Sequence, residues 1–268
     1  MSVECDKILD WTEAIKVKLK DFPFGDDDTR RVFVELIYDS AYCYYRGIAF
    51  MEMMRLSHKN LFQYNIELRY FEPHVNRLVE TTRLPILEKS QFNHLNRSLL
   101  LDAWSSFEFC VTTFTECIAT EDERDKLLQY QFRSIIKEIS ADSVETKKME
   151  RLKNKLTAHS LVHVPIVRKT EFLFMKCSDY GDGIADDREF LQFVGKFRNA
   201  VHSNFIYHGK DYNYWLNNVH FVFKDRVPIV WTDRTTKVYF DLLDRLLLIW
   251  DRICMSLDYE PVCNHPHE

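Results

Sequence analysis

Apolar side chains recur at steps of three and four residues along most of this 268-residue chain, which is the spacing of one helix face. The pattern predicts helices with approximate bounds of 3–20, 29–57, 91–119, 120–140, 142–158, 186–206 and 235–256. The second helix carries an aromatic and aliphatic stripe that we interpret as core, namely Phe33, Ile37, Tyr38, Ala41, Tyr44, Tyr45 and Ile48.

Polar and helix-breaking residues mark where several of these helices begin. A break at 21–28 contains both Pro and Gly, and Asp28 or Thr29 is positioned to cap the helix that follows. Thr120 and Glu123 have the spacing of a capping box, in which each side chain bonds the backbone N–H of the other residue.

Two stretches have a less regular pattern. Pro73 and Pro85 interrupt residues 58–90, where we expect two short helices with a bend. Residues 166–178 form a mixed apolar segment to which we assign no helix or strand, and a Gly-containing loop follows at 179–183.

Apolar and polar residues alternate convincingly in one place, at 219–223. A turn at 224–226 and an apolar return at 227–231 complete a predicted β-hairpin before the last helix. The chain has only 6 Gly and 7 Pro, which favours long helices over many strands. We therefore predict an all-α fold in a single domain, 1–268, with one small β-hairpin.

Net charge and cysteine usage limit the possible binding partners and the possible redox environment of the protein. The formal net charge is −5, so no global basic field attracts nucleic acid. Seven Cys, none in a C-x-x-C pair, indicate reduced thiols. No apolar run approaches the roughly 18 residues of a membrane span, and the N-terminus lacks a signal-peptide pattern. We expect a soluble, cytoplasmic protein without a membrane partner.

The candidate site lies on the helix predicted at 186–206. Arg198 and His202 are four residues apart, so their side chains share one helix face. A permanent cation beside a group that titrates near neutral pH could hold a phosphate and move a proton at the same place. The alternative is structural, because such a pair could also cap the helix end or bind buried carboxylates.

A second group of polar residues lies inside the apolar helix predicted at 91–119. Ser105 and Glu108 would be costly to bury there without partners. Glu108 is therefore a candidate partner for Arg198 from a facing helix. The alternative is that Glu108 simply faces solvent.

Other chemistry-bearing residues give weaker signals. The basic run from Lys147 to Lys155 could contact phosphate, but we prefer to interpret it as an exposed helix face. His159 and His163 lack a third zinc ligand nearby, and the tail at 263–267 lies at a chain end. We predict neither a metal nor a cofactor.

The assembled pattern resembles the HEPN superfamily, small all-helical domains found in RNases and toxin systems. The resemblance rests on Ser105-Ser106-Phe107-Glu108 in one long helix, on Arg198-Asn199-Ala200-Val201-His202 in a later one, and on the closing extension and terminal helix. It covers about residues 91–257, with residues 1–90 as an N-terminal helical extension. The family commonly places four to six residues between the Arg and the His, whereas three intervene here.

The resemblance implies a metal-independent endoribonuclease, as a toxin or as a stress or defence component. Arg198 would hold the scissile phosphate, and His202 would be general base or acid for attack by the ribose 2′-OH. Asn199 would orient His202 or contact the phosphate, with Glu108 and Ser105 in support. The implied partners are RNA or a nucleotide, a second copy bound through the motif face, and an antitoxin. The alternative is a non-catalytic helical module that binds a nucleotide or a protein.

Overall fold

The computed structural model describes residues 3–25, 28–57, 85–128, 161, 164–232 and 235–257. Within these ranges, the side chains of 3–4, 52–57 and 85–93 are not described. Two short helices were predicted at 58–90, and residues 58–84 of that stretch lie outside the described residues. The same is true of the helix predicted at 142–158, its basic run and the pair His159 and His163.

The described ranges contain seven helices, which are α1 (Val3–Lys20), α2 (Thr29–Ser57), α3 (Pro85–Ile118), α4 (residues 121–128), α5 (Ile166–Lys176), α6 (Ile184–His202) and α7 (Thr236–Ser256). The strands β1 (Tyr212–Leu216), β2 (Val219–Phe223) and β3 (Val230–Trp231) form an antiparallel sheet in the order β1-β2-β3. The prediction of a mainly helical chain is confirmed. None of the described helices is both long enough and apolar enough to cross a bilayer.

Two predicted helix starts are confirmed by their hydrogen bonds. The Asp28 carboxylate accepts a hydrogen bond from the backbone N–H of Arg30 at 2.9 Å, so Asp28 caps α2. The Thr120 N–H donates to Glu123 Oε2 at 3.1 Å, and the Glu123 N–H donates to Thr120 Oγ1 at 3.4 Å. These two reciprocal bonds form the capping box expected at the start of α4.

Two prolines stand at helix starts, and we had interpreted one of them, Pro85, as an interruption. Pro85 is the first residue of α3, which begins six residues before the predicted bound at residue 91. Pro165 directly precedes α5, a helix that we did not assign. Proline lacks an N–H and has a fixed φ, and both properties are tolerated in the first turn of a helix.

The sheet contains a strand that the sequence pattern did not reveal. β1 pairs with β2 over five residues, with Tyr214 opposite Phe221, whereas the predicted return strand shortens to the two residues of β3. The connection between β1 and β2 includes Asn217 with φ 51°, a left-handed conformation that Asn tolerates. Tyr and Trp at successive positions of β1 concealed the alternation, because both residue types have apolar and polar parts.

Burial on α2 follows the predicted stripe in part. Phe33, Ile37, Ala41, Tyr44 and Ile48 are buried. The remaining two members, at positions 38 and 45, are only half-buried. Their hydroxyl groups allow tyrosines to lie at the edge of a core, so an aromatic residue at helical spacing does not guarantee burial.

The cysteines differ in their bonding. Cys117 is disulfide-bonded, whereas the other described cysteines are free thiols, namely Cys5, Cys43, Cys110, Cys177 and Cys254. The expectation that all thiols are reduced is therefore wrong for Cys117. Spacing along the chain does not report which sulfur atoms meet in space, and that proximity decides whether a disulfide forms.

Contacts divide the chain into two compact units. Unit 1 comprises Met1–Phe24, Phe33–Ser106 and Phe193–Leu247, and unit 2 comprises Gly25–Val32, Phe107–Gln192 and Leu248–Glu268. Helices α2, α3, α6 and α7 contribute residues to both units. The organisation as one domain with an extension at 1–90 and a core at 91–257 stays a prediction.

Unit 1 has an aromatic core between the second half of α6 and the sheet. The Phe193 ring stacks on Tyr214 at 4.1 Å between centroids and meets the edge of Phe221 at 4.8 Å. One turn later, Phe197 packs edge-on against Phe221 and Trp231. These contacts hold one face of α6 on the sheet and leave its polar positions on other faces.

Unit 2 is centred on Trp250 of α7. Its indole ring contacts Phe107 and Phe114 of α3, with centroid distances of 6.3 and 5.7 Å. Its Nε1–H donates to the backbone carbonyl of Arg30 at 2.7 Å. The fully buried ring therefore has a partner for its polar atom, as burial of an indole requires.

Candidate functional site

The candidate site occupies the C-terminal end of α6. Phe193, Phe197 and Val201 are buried at helical spacing, which fixes the rotation of the helix. Arg198 directly follows the buried Phe197 and is itself half-buried, whereas His202 is exposed. Because both belong to the same continuous helix, their Cα atoms are about 6 Å apart along its axis.

The polar side chains of this helix end contact one another in part. Arg198 Nη1 donates to the Oδ1 atom of Asn199 at 3.1 Å. The Nε atom of Arg198 is shielded from solvent, so one edge of the guanidinium faces the protein. Asn199 and His202 are exposed. The arrangement therefore offers an oriented cation and an accessible imidazole one helical turn apart.

The chain reverses sharply after His202, which is the last residue of α6. Asn204 and Phe205 have φ values of 55° and 65°, in the left-handed region that a phenylalanine rarely adopts. The Phe205 carbonyl accepts a hydrogen bond from Ile229 N at 2.9 Å, and its ring packs against Trp231. These contacts of unit 1 fix the backbone next to His202 in an unusual conformation, a feature that often accompanies functional sites.

The structure gives different surroundings to Ser105 and Glu108, the two residues of α3 that we predicted to support the site. Ser105 is exposed. Glu108 belongs to unit 2, where burial lowers the pKa of Lys169 and the negative charge of Glu108 partly offsets this shift. Arg198 belongs to unit 1, and the predicted pairing of Glu108 with Arg198 stays a prediction.

Lys169 is a buried cation that we did not predict. Its Nζ atom donates to Thr112 Oγ1 and to the Leu161 carbonyl. Burial lowers the pKa of Lys169, and the charges of Glu108 and Glu116 counteract this shift. A signal was present in the sequence, because a lone lysine lies between apolar positions at helical spacing at 166–173. That signal requires recognising α5 as a helix.

A second unpredicted network surrounds Asp187 in the first turn of α6. The carboxylate is fully buried. Its Oδ2 atom accepts hydrogen bonds from the Tyr180 hydroxyl at 2.8 Å and from Arg252 Nη1 at 3.0 Å. We predicted only that a helix begins near residue 186. The network is structural, because the carboxylate lies away from solvent and bonds to protein groups.

No family model, curated protein or solved structure matches this chain. Among the described residues, no three His, Cys, Asp or Glu side chains are grouped so that they could hold a metal ion.

Proposed function

We propose that this chain is a HEPN-like, metal-independent endoribonuclease with Arg198 and His202 at its site. One observation carries the proposal: the helix end presents an oriented guanidinium and an exposed imidazole within one turn. A guanidinium binds phosphate through paired hydrogen bonds, and an imidazole transfers protons near neutral pH.

The chemistry requires two proton transfers. The ribose 2′-oxygen attacks phosphorus and loses its proton to a base, while the bond to the 5′-oxygen breaks and that oxygen receives a proton. The products are a 2′,3′-cyclic phosphate and a 5′-hydroxyl, so no water or metal is consumed in this step. His202 serves as the base or as the acid.

Asn199 and Arg198 act on the phosphate in this scheme. The hydrogen bond from Arg198 to Asn199 supports a role for Asn199 in orienting the guanidinium toward the phosphate oxygens. A second copy of the chain, bound through the motif face, would supply a second imidazole for the other proton transfer. Twofold dimers of this kind are the commonest oligomers.

The test compares RNA cleavage by the wild type and by His202→Ala in the presence of a chelator. We expect chelator-resistant cleavage that falls by about 10²–10⁴-fold in the variant. His208→Ala is the matched control, because His208 is exposed in the same unit but lies beyond the helix. The proposal fails if the wild type does not cleave RNA, or if His202→Ala cleaves as fast as the wild type.

The second candidate function is a non-catalytic module that binds a nucleotide or a protein. One observation favours it: His202 lies in the last turn of α6, where a cation stabilises the helix dipole without any catalytic role. Binding of a nucleotide by the wild type without turnover would support this candidate over the nuclease.

A further inference from the structure

A cavity of about 490 Å³ opens on unit 2, and its lining includes none of the residues of the proposed RNA site. Helices α4 and α5 provide its lining, which comprises Glu123, Lys126, Leu127, Arg168, Phe172, Met175 and Lys176. The volume falls within the range of about 300–1,000 Å³ that is typical of small-molecule sites. Neither the proposed nuclease mechanism nor the buried network around Asp187 uses any of these side chains.

The middle of the cavity is apolar. Phe172 and Met175 are three residues apart on α5, and Leu127 faces them from α4. The Phe172 side chain is nearly buried and forms a firm apolar wall, whereas Met175 is 74% exposed. An exposed, flexible thioether beside a buried ring offers an apolar surface that can adapt to a ligand.

The charged part of the lining is predominantly positive. Among the described lining residues, three cations, Lys126, Arg168 and Lys176, stand against the one carboxylate of Glu123. That carboxylate is already engaged, because it lies 2.7 Å from Lys176 Nζ and accepts a hydrogen bond from the Thr120 N–H. A positive lining in a chain of net charge −5 is not a consequence of the overall composition.

The charges and the apolar surface are separated along α5. Arg168 and Lys176 are eight residues apart, which is about 12 Å along a helix. Phe172 lies midway between them, and the Lys176 ammonium is 5.4 Å from its ring centroid. The cavity therefore presents cations at both ends of an apolar strip, a pattern that complements a molecule with a charged head and an apolar body.

We propose that this cavity binds a small organic anion with an apolar body, such as a medium-chain carboxylate. The anionic group is drawn to the positive charge of the lining, which Lys126, Arg168 and Lys176 provide. The apolar body lies against Phe172 and Met175.

The first experiment measures binding of three probes to the full chain by isothermal titration calorimetry. The probes are octanoate, 1-octanol and octylammonium, which share one apolar body and differ in charge. We expect one octanoate per chain, bound about tenfold more tightly than either other probe, as one charge-assisted interaction would produce. Equal binding of octanoate and octanol, tighter binding of octylammonium, or no octanoate binding would overturn the proposal.

Two variants then locate the site. Met175→Glu places a negative charge beside the apolar strip, and Arg168→Gln removes one cation, so we expect each to weaken octanoate binding by about tenfold. Lys210→Gln removes an exposed cation of unit 1 and should leave binding unchanged. Far-ultraviolet circular dichroism verifies that each variant is folded, and the comparison of probes on the wild type does not depend on them.

Unchanged octanoate binding in both folded variants would contradict the assignment. If Met175→Glu alters the sedimentation coefficient of the chain and not its affinity for octanoate, the cavity is covered by a second copy rather than by a small anion.

Discussion

The two ends of α6 carry polar residues in opposite environments. At the N-terminal end, Asp187 is fully buried and bonded to Tyr180 and Arg252. At the C-terminal end, Asn199 and His202 are exposed. Helical spacing from Phe190 and Val194 places Asp187 on the buried face of α6 and Asn199 on the opposite face, but it does not report which partners Asp187 meets.

The comparison separates polar residues that stabilise the fold from polar residues that are available for chemistry. A buried carboxylate must be compensated by partners, so removing it should destabilise the protein. An exposed imidazole contributes little to stability, so it can change without loss of the fold. Asp187→Ala and His202→Ala test the two sides of this contrast.

The largest effect on stability is expected for Asp187→Ala. The substitution leaves the Tyr180 hydroxyl and the Arg252 guanidinium without this acceptor. We expect a loss of about 2–3 kcal/mol in the free energy of unfolding. This estimate lies below the loss for a fully buried pair, because the Arg252 side chain is 36% exposed.

Urea denaturation at pH 7 measures this loss, and Asp186→Ala is the matched control. Asp186 lies in the same turn but is exposed, so its removal should change stability by no more than about 0.5 kcal/mol. Equal effects of the two variants would remove the contrast between the ends of α6.

Tyr180→Phe should have a smaller effect that depends on pH. Loss of the hydrogen bond to Asp187 should cost about 1–2 kcal/mol at pH 7. Burial, followed by the bond to Asp187, raises the pKa of Tyr180 in the folded state. The unfolded phenol therefore ionises first, and the stability that this group contributes below pH ~10 is lost as the pH rises further.

The stability difference between wild type and Tyr180→Phe should consequently shrink above pH ~10. Denaturation curves collected from pH 7 to pH 11 measure this trend. A difference that stays constant or widens over that range would show that the hydroxyl is not the buried, bonded group described here.

Lys196→Gln probes the middle of α6. Lys196 Nζ lies 3.5 Å from the centroid of the Tyr212 ring, and burial lowers the pKa of this lysine. Loss of the cation–π contact should cost about 0.5–1 kcal/mol. A double-mutant cycle with Tyr212→Leu measures the coupling, and a coupling energy near zero would contradict the contact.

His202→Ala should have the smallest effect on stability. His202 is exposed at the end of α6, so the free energy of unfolding should change by no more than about 0.5 kcal/mol. Thermal denaturation of the variant beside the wild type measures the change. A loss above about 2 kcal/mol would mean that the histidine is a structural group and that the two ends of α6 do not differ as proposed.

Features that depend on near neighbours in the chain were predictable. The capping box of Thr120 and Glu123 was recognised because its bonds join residues three apart. The placement of Arg198, Asn199 and His202 on one helix followed from apolar periodicity. By contrast, β1 escaped detection, because its pairing with β2 depends on which residues face each other across the sheet.

The sequence by itself determined the mainly helical character of this protein, most of the helix bounds that the structure describes, and the spacing of Arg198 and His202. These properties depend on contacts within one or two helical turns, which periodicity reports directly. Only the tertiary structure decided that Asp187 is buried with partners and that Lys169 lies among Thr112, Leu161 and Glu108. It also decided that α4 and α5 line a cationic cavity. Those outcomes depend on which side chains meet when segments far apart in the chain pack together. These contacts determine the free energy of burying a polar group.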